Sequence, residues 1–502
     1  MAIAAAHSRA AGAAAAAAGC SLLGLLGCSD PGRLIGPEQE KLFPKLSNGR
    51  ISAPTPGSCT KALAPGQAAN TYTHALQQLQ QGAEISDIPH LGCLLPADRK
   101  QQSSAELYAR MVSTVFLSEV LHDQLSSQLQ QVIATDRQLG PKRDAGLAWH
   151  GAYLLEAAIE AYRHTGEQRY LELFRNSFDQ ILQRRDIHSG FIDVLRGRPT
   201  QGWSSINISE EKRSKNEGPP FLAAHVTHTA RIVYPATEFA RLVLSKPELK
   251  ARYEATAQRY ISASRAAMHD FDDDWGVVNG QTIPGTNRPL HWYRRPVTNS
   301  LEATNHIHIV ANVWLNLARL TNEPQYLENT KDVLAIFRKG VVQEDNGTVH
   351  WNYFPFFATA EKQRFSNGRQ WSEATWKASL TTPFLARAEQ LGFPELKLLT
   401  QAIARSINQE ILGISQIRRN LSSKHSRWID GSDPKDSKQL GKLDNTTLFL
   451  SYAALEPQIA EKLVRLHATR PDLFPMGWLG SAPGALGYAQ FLKPTSSSST
   501  AR

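Results

Sequence analysis

The chain has 502 residues, 41% of them hydrophobic, and a formal net charge of +9. That apolar content supports a large core, in roughly two to four domains or in one large helical one. No long run of Lys and Arg occurs, which excludes a nucleic-acid surface; the spread positive charge leaves a weak bias toward an anionic polymer.

The chain opens with His7 and Arg9, followed by an Ala-rich apolar run. This run is too short for a good membrane span and ends at small residues, the pattern of a targeting segment over residues 1–27. It closes on Leu25-Leu26-Gly27-Cys28, which resembles a bacterial lipobox. The resemblance implies cleavage before Cys28, lipidation of Cys28 as a membrane anchor and, with Ser29 next, sorting to the outer membrane of a bacterial envelope. An ordinary secretory peptide or an uncleaved anchor is the alternative. Of the four cysteines, Cys20 leaves with the segment and Cys28 takes the lipid, so Cys59 and Cys93 remain. An even pair in an oxidising compartment is expected to form a disulfide, with two separate thiols as the alternative. Residues 28–66 are rich in Pro, Gly and Ser and read as a flexible tether.

Residues 70–81 and 104–132 carry helical patterns. A helical hairpin then recurs. Its first copy has a helix over 145–164, a turn at 165–168 and a return over 169–183; a second has a helix over 298–320, a turn at 321–324 and a return over 325–339. The two turns align as TGEQRYLE and TNEPQYLE. Looser copies turn at 245–248 and 391–394, each with Pro where a helix starts, and a fifth hairpin is expected over 443–467. Turns roughly 70–80 residues apart mark a repeat architecture of hairpins joined by long connections. Strand signals are sparse, the best lying at 348–354, and residues 494–502 read as a disordered tail.

The long connections hold the aromatic, His and Arg residues, as in LHWYRRP at 290–296, HWNYFP at 350–355 and RQWSEATW at 369–376. Hairpins that cannot bury an apolar face alone can close into a ring, with such connections at one end. In this the chain resembles the incomplete (α/α) toroid of polysaccharide lyases, uronyl C5-epimerases and related carbohydrate enzymes. The resemblance implies an all-α catalytic domain over 67–493.

Residues 298–320, TNSLEATNHIHIVANVWLNLARL, are expected to form one helix with a polar stripe of Asn305, His308, Asn312, Asn316 and Arg319. Asn305, His306 and His308 read as the lip of a cleft, because polar groups inside a protein need partners. An Asn-His pair opening an inner helix resembles that of alginate and related uronate lyases. The resemblance implies that Asn305 helps neutralise a uronate carboxylate, that His306 takes the C5 proton, and that a tyrosine, here Tyr353, protonates the departing oxygen. The chemistry needs donors on the carboxylate where charge develops and a base opposite them. The chain departs from the family pattern: Thr304 stands where a second Asn is common, and the following Trp is Trp314, two turns on. His306 also shares a face with Val310 and Val313, so a core histidine is the alternative.

Other candidates contact substrate. In an extended 350–353, Trp351 and Tyr353 share a side, with Trp351 placed to stack on a sugar. His225 and His228 lie on one face of a helix expected over 220–244, as substrate-binding or supporting groups, with a metal-binding pair as the alternative. His291, Tyr293, Arg294 and Arg295 form a carboxylate-contact zone, Tyr293 being the second choice of proton donor. Glu373 and Asp272–Asp274 are the carboxylates a glycoside hydrolase would require. There is no P-loop, dinucleotide fingerprint, HExxH, zinc-type Cys spacing or nucleophile elbow, so no cofactor or catalytic metal is assigned; a structural divalent cation is compatible with the Asp run. The expected activity is β-elimination on an acidic, uronate-containing polysaccharide. Glycoside hydrolysis, C5-epimerisation and non-catalytic glycan binding on the same toroid remain open.

Overall fold

The computed structural model describes residues 119–206, 221–295, 300–358, 372–412, 446–453, 455–456 and 458–459. The lipobox Cys28, the Cys59–Cys93 pair, the tether, the helix expected over 70–81 and the tail lie outside the described residues, as does most of the fifth hairpin. Among the described residues no helix is long and apolar enough to cross a membrane.

Helix α1 (Glu119–Leu139) leads into four hairpins. In the first, a π-helical turn (Leu147–Gly151) runs into α2 (Ala152–Thr165), which returns as α3 (Gln168–Leu182). The second pairs α4 (Val226–Leu244) with α5 (Pro247–His269), and the third pairs α6 (Thr304–Thr321) with α7 (Pro324–Gly340). The fourth pairs α8 (Thr375–Gln390) with α9 (Lys397–Ser406). Helices α2, α4, α6 and α8 pack side by side in chain order, and α3, α5, α7 and α9 each cover their own partner. The fold is an incomplete (α/α) toroid, mostly helical with a few short strands.

The aligned turns have a conformational cause. Gly166 (φ 75°) and Asn322 (φ 58°) both close an inner helix in the left-handed region, which Gly and Asn tolerate best. Before each, Thr165 and Thr321 donate their hydroxyls to Ala161 and Leu317 and accept the N–H of Glu167 and Glu323. Outer helices seal through aromatics against an inner helix and against each other: Phe174 of α3 stacks on Phe239 of the inner helix α4 at 4.9 Å, and Phe178 of α3 meets Tyr260 of the neighbouring outer helix α5 edge-on at 4.8 Å.

Among the described residues, three connections carry a two-stranded antiparallel sheet ahead of an inner helix. β1 (Ser204–Ser205) and β2 (Ala223–Ala224) precede α4; β3 (Trp275–Thr282) and β4 (Pro289–Tyr293) precede α6; β5 (Val341–Gln343) and β6 (Val349–Trp351) precede α8. These sheets gather at the end of the toroid where the inner helices begin. They also correct two expected boundaries. α6 starts at 304 rather than 298, because Arg295 donates to the carbonyl of Ser300 and Glu302 to that of Tyr293, which holds the chain extended up to Ala303. α4 starts at Val226 rather than 220, with Ala223 and Ala224 paired in β2.

The axial faces of the inner helices are polar. At the far end, Glu238 of α4 accepts from Arg163 of α2 (2.7 Å), Asn316 of α6 (2.8 Å) and Arg387 of α8. Groups from four helices meeting on one carboxylate place all four around a common axis. An ionised group removed from water requires such pairing, so this layer pins the helices to one another. It also explains the polar stripe on α6: Asn305, Asn312 and Asn316 are buried because an inner helix is covered nearly all round.

Candidate active site

The beginnings of the inner helices hold a buried polar cluster centred on Glu302. Its carboxylate is fully buried and takes three partners. His225 Nε2 lies 2.7 Å from Oε1, His306 Nδ1 lies 2.6 Å from Oε2, and Arg295 Nε is ion-paired 3.0 Å from Oε1. The main chain of Glu302 is fixed as well: its N–H donates to Tyr293, and its carbonyl accepts from Trp292 Nε1 at 2.8 Å. Burial alone would protonate a carboxyl, but the charges of His225 and Arg295 and the imidazole hydrogen bonds hold Glu302 well below its ordinary range.

An ionised Glu302 accepts protons and gives none, so His306 carries its proton on Nδ1 and keeps Nε2 as a lone-pair nitrogen. Burial lowers the His306 pKa to about 4, against the opposing pull of Glu302, so the ring is neutral at neutral pH. Glu302 and His225 are 1% and 5% exposed at their side chains, whereas His306 keeps 15%. His306 and Arg295, which is 14% exposed, are the members of the cluster that reach solvent. Beside it, Asn305 is buried and its amide oxygen has no hydrogen-bond partner.

His225 caps the start of α4, and His228 is the third residue of that helix; the two rings are 5.0 Å apart, and His225 is 5.7 Å from His306. Trp149 Nε1 donates to His228 Nε2 at 3.2 Å. Desolvation and the neighbouring histidines hold the His228 pKa well below its ordinary value. The fold therefore brings His225, His228 and His306 together, with Asn305 next to His306 in the chain.

Several expected site residues stand elsewhere. His308 is not on the cleft lip. Two residues past His306 on a helix it faces a different direction; it is fully buried between Phe337 and Phe384 and bonds the carbonyl of Thr381 at 3.1 Å. Burial lowers its pKa to about 4. Trp351, 3% exposed, cannot be a sugar platform, because its indole is turned inward to donate to Glu373 Oε2 at 2.6 Å. Tyr293 packs between Trp275 and Trp314, and burial raises its pKa well above normal, so it is a core residue rather than a proton donor. Arg295 is taken up by Glu302, which removes it as a substrate-carboxylate ligand. Arg294 is half-buried at an isolated bridge to Leu301, and His291 stacks beside Trp275 on the β3–β4 hairpin.

Tyr353 does come to the start of α6, since its carbonyl accepts the N–H of Thr304 at 2.9 Å. Its ring, in a residue 8% exposed, lies 3.7 Å beneath Lys377 Nζ. Glu373 is fully buried and bonded by the neutral donors Trp351 and Thr381; desolvation pushes its pKa up to about 7.

Three residues of the site were missed from sequence: Glu302, Trp149 and Lys377. A signal for them existed. Glu302-Ala303-Thr304 and Glu373-Ala374-Thr375 are the same string at the same structural place, with each Ala capping an inner helix. In both, the Glu N–H donates to the carbonyl of the preceding strand, at Tyr293 or Trp351. Counting from the helix start, the third residues of α4, α6 and α8 are His228, His306 and Lys377, and Trp149 is the third residue of the π-helical turn that runs into α2.

His225, Glu302 and His306 each offer a ligand atom within 4.8 Å of the others, so among the described residues this trio could hold a metal ion. It differs from the His225–His228 pair that the sequence singles out. Two observations favour a hydrogen-bonded cluster: the separations of 2.6 and 2.7 Å are those of hydrogen bonds, and Arg295 already balances the carboxylate charge. A separate cleft of about 450 Å³ lies by the β5–β6 hairpin, lined by Glu344, Asp345, His350 and Glu410 among others. It shares no residue with the His306 cluster, and its acidic rim suits an anionic sugar poorly.

No family model and no curated protein matches the chain. Among solved structures, the α-1,6-mannanase GH76A of Salegentibacter sp. HEL1_6 is 9% identical, with 74% of this chain and 98% of that one covered at a TM-score of 0.39. A glycosyl hydrolase family 88 protein from Bacteroides vulgatus is 15% identical, with 73% and 99% covered and a TM-score of 0.40. A polysaccharide lyase is 13% identical, with 73% and 97% covered and a TM-score of 0.36. Likeness this low carries no activity across to this chain.

Proposed function

We propose that this protein is an exported enzyme, lipid-anchored at Cys28, that cleaves a uronate-containing polysaccharide by β-elimination. The observation that carries the reading is the Glu302–His306 pair. A buried carboxylate holds Nδ1–H and leaves Nε2, on a part-exposed ring, to accept a proton. His306 Nε2 takes the proton from C5 of the uronate. The electron pair of that C–H bond passes into the carboxylate-stabilised carbanion, then forms the C4–C5 double bond as the C4–O bond breaks. The Tyr353 hydroxyl gives its proton to the departing oxygen and is later reprotonated by way of solvent. Glu302 stabilises the imidazolium that forms, in the manner of a buried acid behind a catalytic histidine. In this reading Asn305 and the N-terminus of α6 (Thr304–Thr321) meet the developing carboxylate charge.

The test is ultraviolet absorbance of the unsaturated uronide, with the purified protein on alginate, glucuronan, pectate and glycosaminoglycans. A rising signal, lost in His306→Ala and in Tyr353→Phe with folding intact, supports the assignment. Full rates in both variants would sink it. Exchange of the C5 proton in heavy water without chain cleavage would identify an epimerase instead.

A further inference from the structure

We propose that Lys377 binds the anionic group of the substrate, so that this site selects sugars bearing a carboxylate over their neutral counterparts. The proposal deepens the reading of the site given above and rests on it for the identity of the anion. A uronate site needs a cation. The arginine pair before α6 was the natural source, but Arg295 is paired with Glu302. The fold supplies another cation by repetition. Lys377 is the third residue of α8, the register that His306 holds on the adjacent inner helix α6. Both helices start from a capping Ala preceded by a Glu tied to the preceding sheet, so the equivalence is one of three-dimensional position as well as of counting.

The surroundings of Lys377 agree. It is half-buried, and its Nζ sits 3.7 Å over the ring of Tyr353. The main chain of Tyr353 is bonded to Thr304, the first residue of α6. Through Tyr353 the ammonium is thus tied to the segment that meets the start of α6. A cation resting on an aromatic face is held in place yet keeps its charge. Glu373, four residues before Lys377 and just ahead of the helix, is bonded by the neutral donors Trp351 and Thr381 and holds its proton up to about pH 7. The positive ends of two inner helices act in the same direction.

The experiment is calorimetric binding to the full chain in a His306→Gln background, in which no ligand is consumed. The ligands are a uronate oligosaccharide and its neutral methyl ester. The parent is expected to prefer the acid. Lys377→Met is expected to lower acid affinity about tenfold or more, to leave ester affinity unchanged and to weaken the salt dependence. Lys377→Arg is expected to keep most of the preference. If Lys377→Met melts early, Lys377→Gln is read in its place against the same ligands. Unchanged acid affinity in a folded Lys377 variant overturns the proposal, as does a parent that does not tell acid from ester. Acid preference that depends on Lys377, without unsaturated product from the wild type, keeps this proposal and removes the lyase reading.

Discussion

Replacing Glu302 with Gln keeps the side-chain shape and removes its charge. The carboxylate is fully buried and binds His225, His306 and Arg295 within 3.0 Å. The amide leaves Arg295, 14% exposed, without its counter-ion. Breaking a buried pair from one side costs about 3–5 kcal/mol. The amide can accept from one imidazole only, and its NH₂ must face the other. If that other is His306, the ring changes tautomer, its proton moves to Nε2, and the accepting nitrogen is lost. A missing general base costs about 10²–10⁴ in rate. Urea denaturation measures the first effect and initial rates of unsaturated-product formation measure the second. The pH profile separates positioning from plain structural damage. Because Glu302 raises the His306 pKa against desolvation, the wild-type acid limb, set near the His306 value of about 4, should move to lower pH in any residual Glu302→Gln activity. Glu302→Asp retains the charge and should recover stability more than rate. A Glu302→Gln protein that is as stable and as fast as wild type would refute both the buried-pair energetics and the dyad.

Three further outcomes follow from the same structure. Glu373 has a folded pKa of about 7 against an ordinary 4.5, so its contribution to stability is complete below about pH 4.5 and is lost as pH rises through 7. Glu373→Gln should therefore gain on wild type, by on the order of a few kcal/mol, as denaturation is measured from acid to mildly alkaline pH; a pH-independent difference would refute this. Glu238→Ala strips the far-end layer of the acceptor shared by Arg163, Asn316 and Arg387, and should cost about 3–5 kcal/mol in denaturation while leaving KM unchanged under conditions where it is folded. Chelator treatment should leave turnover intact, since Arg295 supplies the charge that balances Glu302; activity lost on chelation and regained with zinc would make His225, Glu302 and His306 a metal centre.

The sequence made the site legible in half. Asn305 and His306 stood out as polar residues opening a helix that also carries an apolar stripe, and His225 and His228 as a pair one turn apart; the fold joins both pairs. Glu302 did not stand out. It lies before the helix, in a stretch read as helical, and its role depends on Arg295 and on a histidine 77 residues away. Trp351 and Tyr293 were misplaced for a related reason. Alternation along a strand tells which residues share a side, but not which side is covered, and here Phe337 of α7 packs on Trp351 and Glu373, just ahead of α8, accepts its indole N–H. His308 shows the limit in a helix: an imidazole within a polar stripe reads the same whether it meets substrate or, as here, a backbone carbonyl between two phenylalanines.

By itself the sequence determined the hairpins and their repetition, because local physics fixes them. Apolar spacing, a proline at a helix start, and a Gly or Asn able to take the left-handed turn act within a few residues of one another. The toroid follows from repeating such a unit. Only the tertiary structure decided what the polar residues do. Glu302 and Glu373 occupy the same place in successive repeats, yet one is held ionised by Arg295 and two histidines while the other, bonded by an indole and a hydroxyl, keeps its proton to about pH 7. A carboxyl group's charge is set by burial and by neighbours brought from distant segments, and neither is written in the residues on either side of it.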